Sequence, residues 1–226
     1  MKNRNVIVFI VEGITDKDSL YGILSELYED KNIVFSIVGG DITTDKSTSV
    51  KNIDSKVVSY IKKAMERDKF NKSDITRIVH LIDTDGAYIP DEKIIYNDID
   101  KPYYSEKNIE TRNVEYMKTR NQQKRNILNK LSTMNTIFKG IKYNVYYMSC
   151  NLEHVLHNIQ NANEAQKKYL AESLEDKFFD NPEEFVNFIS TASFSVHGNY
   201  TETWEYIKQG TNSLNRYSNF SLFFND

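Results

Sequence analysis

Three carboxylates stand where apolar runs stop. Glu12 directly follows VIVFIV (6–11) and precedes Gly13, while Asp83 directly follows RIVHLI (77–82) and Asp85, after Thr84, precedes Gly86. Ionised groups at the ends of buried segments are costly unless something uses their charge. Side chains at i and i+2 of an extended segment point the same way, so Asp83 and Asp85 are expected to offer paired oxygens to one cation. Hard oxygen ligands without sulfur favour Mg²⁺ or Mn²⁺. Such an ion polarises a scissile phosphate and lowers the pKa of its bound water, and a second ion stabilises the leaving oxygen. Acids left unneutralised repel phosphate, so the site is expected to be inert without a divalent cation. The plainer alternatives are an Asx-type turn ahead of Gly86 and helix capping, which would explain Asp16 or Asp18.

The surrounding pattern says how these acids meet. VIVFIV is continuously apolar, as in a strand covered on both faces. Leu20, Ile23, Leu24 and Leu27 form a helical stripe over 15–28, with Thr15 or Asp16 as cap. NIVFSIV (32–38) predicts a second strand, Val57, Ile61, Ala64 and Met65 a second helix, and RIVHLI a third strand. Strand–helix alternation predicts a parallel sheet whose carboxyl ends share one edge, where ligands bind. Glu12, Asp83 and Asp85 are thereby expected to converge.

Residues 87–108 contain two of the three prolines and read as an irregular or hairpin insertion. A helix is predicted over 109–134, carrying Arg112, Lys118, Arg120, Lys124, Arg125 and Lys130. That basic run reads either as a solvated face or as a phosphate-tracking surface; candidate partners for a phosphate are Lys17, Lys101, Arg112 and Arg120, with no spacing that singles one out. IKYNVYYM (141–148) predicts a fourth strand, and helices are predicted from Glu164 onward, one of them with Asn181 and Pro182 at its start.

Among 226 residues the charged fraction is 27% and the net charge −3, which suits a globular chain without a global basic field. Any polyanion site must then be local, and bound divalent ions would supply the positive charge. The 15 Tyr and 12 Phe could serve base stacking, but they accompany heavy Asn, Lys and Ile usage of the kind an AT-rich genome produces. A single cysteine, Cys150, excludes an internal disulfide and a cysteine zinc site and suits a reducing cytosol. The N-terminal apolar run is too short for a signal peptide and no stretch has transmembrane length, so a cytoplasmic location without membrane attachment is expected. His80 is expected to be a core histidine with a backbone partner, and His157 a packed helix residue or a base.

"VIVFIVEGITDKDSL" and "RIVHLIDTDGA" together resemble the Toprim catalytic domain shared by topoisomerases, primases and the OLD and RloB-like nucleases of phage defence. The resemblance spans about residues 5–160. "SCNLEHVLHN" is similar to the RloB-like, abortive-infection branch, with Asn151, Glu153 and His157 matching its motif and Leu152 where proline is usual. The resemblance implies a Toprim-like α/β fold: a mostly parallel four-stranded sheet flanked by helices over residues 1–160, with an insertion at about 87–135 and a helical C-terminal extension over 161–226. It also implies metal ligation by Glu12, Asp83 and Asp85, and catalytic roles for these with Asp16, which sits where the OLD-type motif has a second acid, and Glu153. The implied activity is Mg²⁺- or Mn²⁺-dependent cleavage of DNA or RNA in an anti-phage system. Its relatives often work beside an ABC-type ATPase; the sequence has no G-x-x-x-x-G-K-[ST], so the ATPase is expected on a separate chain. The competing expectation is a non-catalytic, partner-binding regulatory subunit with a structural metal site. A haloacid-dehalogenase-like phosphatase fits less well, because it needs its Asp-x-Asp after the first strand, where this chain has Glu12.

Overall fold

The computed structural model describes residues 5–29, 33–40 and 42–225, except the side chains of residues 14–16, 38 and 39. In chain order the elements are β1 (Asn5–Val11), α1 (Ile14–Leu27), β2 (Ile33–Gly39), α2 (Ile53–Asp68), β3 (Ile75–Asp83), β4 (Ile94–Tyr96), β5 (Tyr103–Tyr104) and β6 (Ile109–Thr111). There follow α3 (Val114–Ser132), β7 (Thr136–Ile137), β8 (Ile141–Ser149), α4 (Leu152–His157), α5 (Glu164–Phe178), α6 (Pro182–Thr191), α7 (Tyr200–Ile207) and β9 (Tyr217–Ser218). Among the described residues no helix is long and apolar enough to cross a membrane.

The main sheet has the order β2-β1-β3-β8-β7, with β9 also paired to β8. Its first four strands are parallel and the short β7 and β9 run antiparallel to β8. Among the described residues, six strands rather than four therefore make the sheet, because two-residue segments too short to show a period add to the far strand.

The apolar run of β1 is explained by helices on both faces of the sheet. Val6, Val8 and Ile10 pack into one core with Val57 and Ile61 of α2, Ile127 and Leu128 of α3, and Trp204 of α7. Ile7, Phe9 and Val11 pack into the other with Leu20 and Leu24 of α1, Leu174 of α5, Phe185 of α6, and Phe220 and Phe223 near the C-terminus. Period-two alternation thus feeds two cores at once. Residues 161–226 contribute to both cores, and β9 joins the sheet.

The insertion forms a small second sheet of order β4-β6-β5. Residues 109–111, predicted to be the start of a helix, are its middle strand, and α3 begins only at Val114, where the Asn113 side chain accepts from the Tyr116 N–H. Partner strands on either side decide the state of this short β-branched run.

His80 is fully buried on β3, and its Nδ1 lies 2.8 Å from the Tyr143 hydroxyl. Its partner is thus a side chain rather than the expected backbone group, because the strand's backbone groups are engaged in the ladder. Burial, followed by the charge of Lys124, lowers its pKa to about 3. The folded ring stays neutral while the unfolded ring takes up a proton near its ordinary value of about 6.5. Stability tied to the neutral ring is therefore intact above pH ~6.5 and falls as the pH drops from there toward 3. Between pH 7 and 5 this one group is expected to remove about 2 kcal/mol, read by urea unfolding, with a shallower pH slope in His80→Gln.

Candidate active site

β1 and β3 are adjacent and parallel, with Ile10 opposite His80. Counting onward from that pair, Glu12 and Asp83 leave the sheet at neighbouring points of its carboxyl edge. Asp83 itself pairs with Met148 of β8. The chain then turns: the Ala87 N–H donates to the Thr84 carbonyl at 2.9 Å, and the two central residues, Asp85 and Gly86, have φ of +47° and +67°. Positive φ at both positions is the type I′ pattern, for which Asp-Gly is a favoured pair. The expectation of Asp83 and Asp85 on one face of an extended segment is thus corrected. Asp83 ends the strand and Asp85 sits in a left-handed turn, although both line one cleft.

Distant segments hold that turn. The Thr84 and Asp85 N–H groups donate to the carbonyls of Met148 and Cys150, at 3.0 and 2.8 Å. The Gly86 N–H and the Thr84 hydroxyl both donate to the Ser213 carbonyl, at 3.0 and 2.7 Å. A Cβ on Gly86 would lie 2.6 Å from Leu214 Cδ2 and would have to accept φ +67°. Gly86→Ala is expected to destabilise the protein by about 1–3 kcal/mol, seen as a lowered Tm, from left-handed strain together with overpacking.

Lys124 of α3 joins the two strand ends. Its Nζ is 3.1 Å from Glu12 Oε2 and 2.5 Å from Asp85 Oδ2, and its side chain is 0% exposed. The two carboxylates therefore share one buried ammonium. Glu12, 8% exposed, also accepts from the Thr43 hydroxyl at 2.6 Å. Arg120, one helical turn before Lys124, places Nη2 2.8 Å from the same Asp85 Oδ2. Its Nη1 donates to the Asp85 carbonyl and to Asn121 Oδ1, at 3.2 and 2.9 Å, and Asn121 Nδ2 donates to the Gly86 carbonyl at 3.2 Å. Burial alone would raise the pKa of the Asp85 carboxyl, but the charges of Lys124 and Arg120 outweigh it and hold it below the ordinary value.

The other sequence-derived candidates divide. Asp16 falls in the first turn of α1, but its side chain lies outside the described residues. Glu153 is buried in α4 and pairs with Lys167 at 3.7 Å. Lys167 lines the cleft that holds Asp83 and Asp85, so Glu153 stands behind its wall. Lys101 lines the cleft as well, whereas Arg112 pairs with Asp98 and Asp100 of the insertion and Lys17 lines a separate hollow beside Arg67 and Asp68. The pKa of His157 is lowered by burial and then by the charges of Arg216 and Lys177, an environment that disfavours proton uptake. Cys150 is a free, buried cysteine whose thiol is pushed well above its usual value by burial and then by the Asp85 and Asp83 charges. It stays protonated near neutral pH, so the available donors at the site are oxygens.

Sequence reading placed Lys124 on a basic helix face, where the structure instead buries it, and left Asn121 and Thr43 unassigned. For the first two a signal exists: Met117, Asn121, Lys124, Leu128 and Leu131 recur at helical spacing, so both polar side chains sit on the apolar stripe of α3 and are buried with it. A buried lysine needs a charge partner. Two nearby strand-end acids supply one.

Whether these groups suit a divalent ion is tested by the cation already among them. An ammonium sits in contact with one carboxylate oxygen from each strand end, and Asp83 joins Asp85 on the adjoining cleft. The donors are hard oxygens, which suits Mg²⁺ or Mn²⁺. Among the described residues, no three Asp, Glu, His or Cys side chains already converge on one point as a ready ligand set. Lys124 takes the place of the third partner. Compared with known family models, curated proteins and solved structures, the chain matches none.

Proposed function

We propose that this chain is a Mg²⁺- or Mn²⁺-dependent phosphodiester hydrolase acting on DNA or RNA, built around a Toprim-like acid site. The observation that carries the proposal is the meeting of Glu12 and Asp85 on one buried ammonium at the carboxyl edge of a mostly parallel sheet. A ligand crevice is expected at that edge. Service as an effector of an anti-phage or abortive-infection system beside a separate ABC-type ATPase, with Asp16 and Glu153 as further catalytic acids, extends the proposal on the sequence resemblance alone.

Glu12, Asp83 and Asp85 would hold the metal, which when bound polarises a phosphate and neutralises part of its charge. Lys124 balances the acids and keeps a positive group beside them. Arg120 fixes the Asp85 carboxylate through its guanidinium and the Asp85 carbonyl through a hydrogen bond, so the turn keeps its shape. Lys101 and Lys167 on the cleft walls offset the charge of an entering phosphate. The test is incubation of the purified protein with a panel of DNA and RNA, with and without Mn²⁺. Cleavage only with the divalent ion is expected. Cleavage that persists in EDTA, or none under any divalent ion, would contradict the proposal.

A second function is favoured by the same buried ammonium: with its charges paired, the cluster could serve only to hold the fold of a non-catalytic, partner-binding subunit. In that case Asp83→Ala would impair folding without any cleavage to lose. For the enzyme, the same substitution removes cleavage at an unchanged Tm.

A further inference from the structure

We propose that the cleft beside the acids receives one unpaired nucleotide whose base stacks on Tyr103, making the substrate of this site single-stranded nucleic acid. A substrate of this kind presupposes the phosphodiester chemistry proposed above for the same acids. The cleft has a volume of about 440 Å³, with Asp83 and Asp85 in its lining and Lys101, Tyr103, Asn161 and Lys167 on its walls. That volume lies toward the small end of the range for small-molecule sites. It suits a single nucleotide.

The walls are fixed before any ligand arrives. The Tyr104 N–H donates to Asn161 Oδ1 at 2.9 Å, and Asn161 Nδ2 donates back to the Tyr104 carbonyl at 2.7 Å. Behind them, Asn151 Nδ2 donates to the Gln160 carbonyl and Gln160 Nε2 to the Leu214 carbonyl, both at 2.9 Å. Tyr103 and Tyr104 form β5, paired antiparallel to β6 with Tyr103 opposite Glu110. Strand alternation sends them opposite ways. Both line the cleft: the Tyr104 phenol has its pKa raised by burial and feels the charges of Arg120 and Asp85, whereas Tyr103 is 51% exposed.

An aromatic face held on a paired strand loses little freedom when a ligand lands on it. Within a duplex each base is covered by its neighbours, so only an unpaired or extruded base can stack on a side chain. Two lysines serve the phosphates, and the net charge of −3 adds no long-range attraction. Binding should therefore depend shallowly on salt, with a log–log slope of about −1.4 for two phosphates neutralised on a single strand.

The experiment measures fluorescence anisotropy of labelled single-stranded DNA, single-stranded RNA and the matching duplexes, in Ca²⁺, with the wild-type protein, Tyr103→Ala and Tyr103→Phe. Single strands are expected to bind at least about tenfold tighter than duplex, and Tyr103→Ala to weaken them by about 5- to 100-fold. Tyr103→Phe should retain the affinity, and Tm should be unchanged in both variants because the ring is half exposed. The sugar that binds more tightly names the substrate, and either outcome supports the proposal. Equal affinity for single strand and duplex, or indifference to Tyr103→Ala, overturns it. A parallel cleavage assay in Mn²⁺ separates the two proposals. Cleavage without preference for single strands overturns the nucleotide cleft and leaves the phosphodiester chemistry, whereas Tyr103-dependent binding without cleavage does the reverse.

Discussion

Lys124→Met is expected to destabilise the metal-free protein by about 3–5 kcal/mol, the usual penalty for removing one partner from a buried charge cluster. The volume of the side chain is nearly kept, so the loss is electrostatic. Glu12, 8% exposed, and Asp85 would face each other without the ammonium between them, with Arg120 on Asp85 and the Thr43 hydroxyl on Glu12. Urea unfolding reads the change directly. Two additions separate the charge explanation from a packing defect. Glu12→Gln combined with Lys124→Met should recover part of the loss, giving a favourable coupling in a double-mutant cycle. Mn²⁺ should recover part of it too, about 2.7 kcal/mol at a free concentration a hundredfold above its dissociation constant. A packing defect would not respond to Glu12→Gln, and Mn²⁺ would then stabilise the variant no more than it stabilises the wild type.

Asp83→Asn is expected to reduce metal-dependent cleavage by at least about 10³-fold, since a metal's electrostatic contribution to the transition state is several kcal/mol and each 1.4 kcal/mol is a factor of ten. Stability should move by less than about 1 kcal/mol, the ordinary range for a partly exposed position. The variant keeps the shape of the side chain and its place opposite Met148 at the end of β3. It also leaves the contacts of Lys124 with Glu12 and Asp85 in place. A steady-state cleavage rate and a melting curve on the same preparation check both halves. Asp83→Asn therefore separates chemistry from folding more cleanly than any change at Asp85, which would disturb both Lys124 and Arg120.

The two strands that end in acids were legible because their signal is local. VIVFIV and RIVHLI are apolar without interruption and stop at acids, and parallel pairing then fixes which edge those acids share. The conformation of Asp85 was less legible. Asp-Gly carries the type I′ preference, but whether the segment turns or stays extended is decided by Ser213, more than a hundred residues away, which accepts from Thr84 and Gly86. Lys124 was hidden by its neighbours: in a helix with Lys118, Arg120, Arg125 and Lys130, one more lysine reads as part of a solvated or phosphate-tracking face. Its burial follows from where α3 crosses the sheet edge, a fact of tertiary geometry foreshadowed only by its spacing from Met117, Leu128 and Leu131. Strands β5, β7 and β9 have two residues each, too few for any periodic signal, and exist because a longer neighbour pairs with them.

The central claim is that acids from two strand ends converge on a single cation, and the most direct measurement is Mn²⁺ binding by isothermal titration calorimetry, wild type against Glu12→Gln. A saturable site in the wild-type protein, lost or weakened at least about tenfold in Glu12→Gln while the fold is retained, is the expected result. Absence of any saturable Mn²⁺ site, or a site indifferent to Glu12, would contradict it.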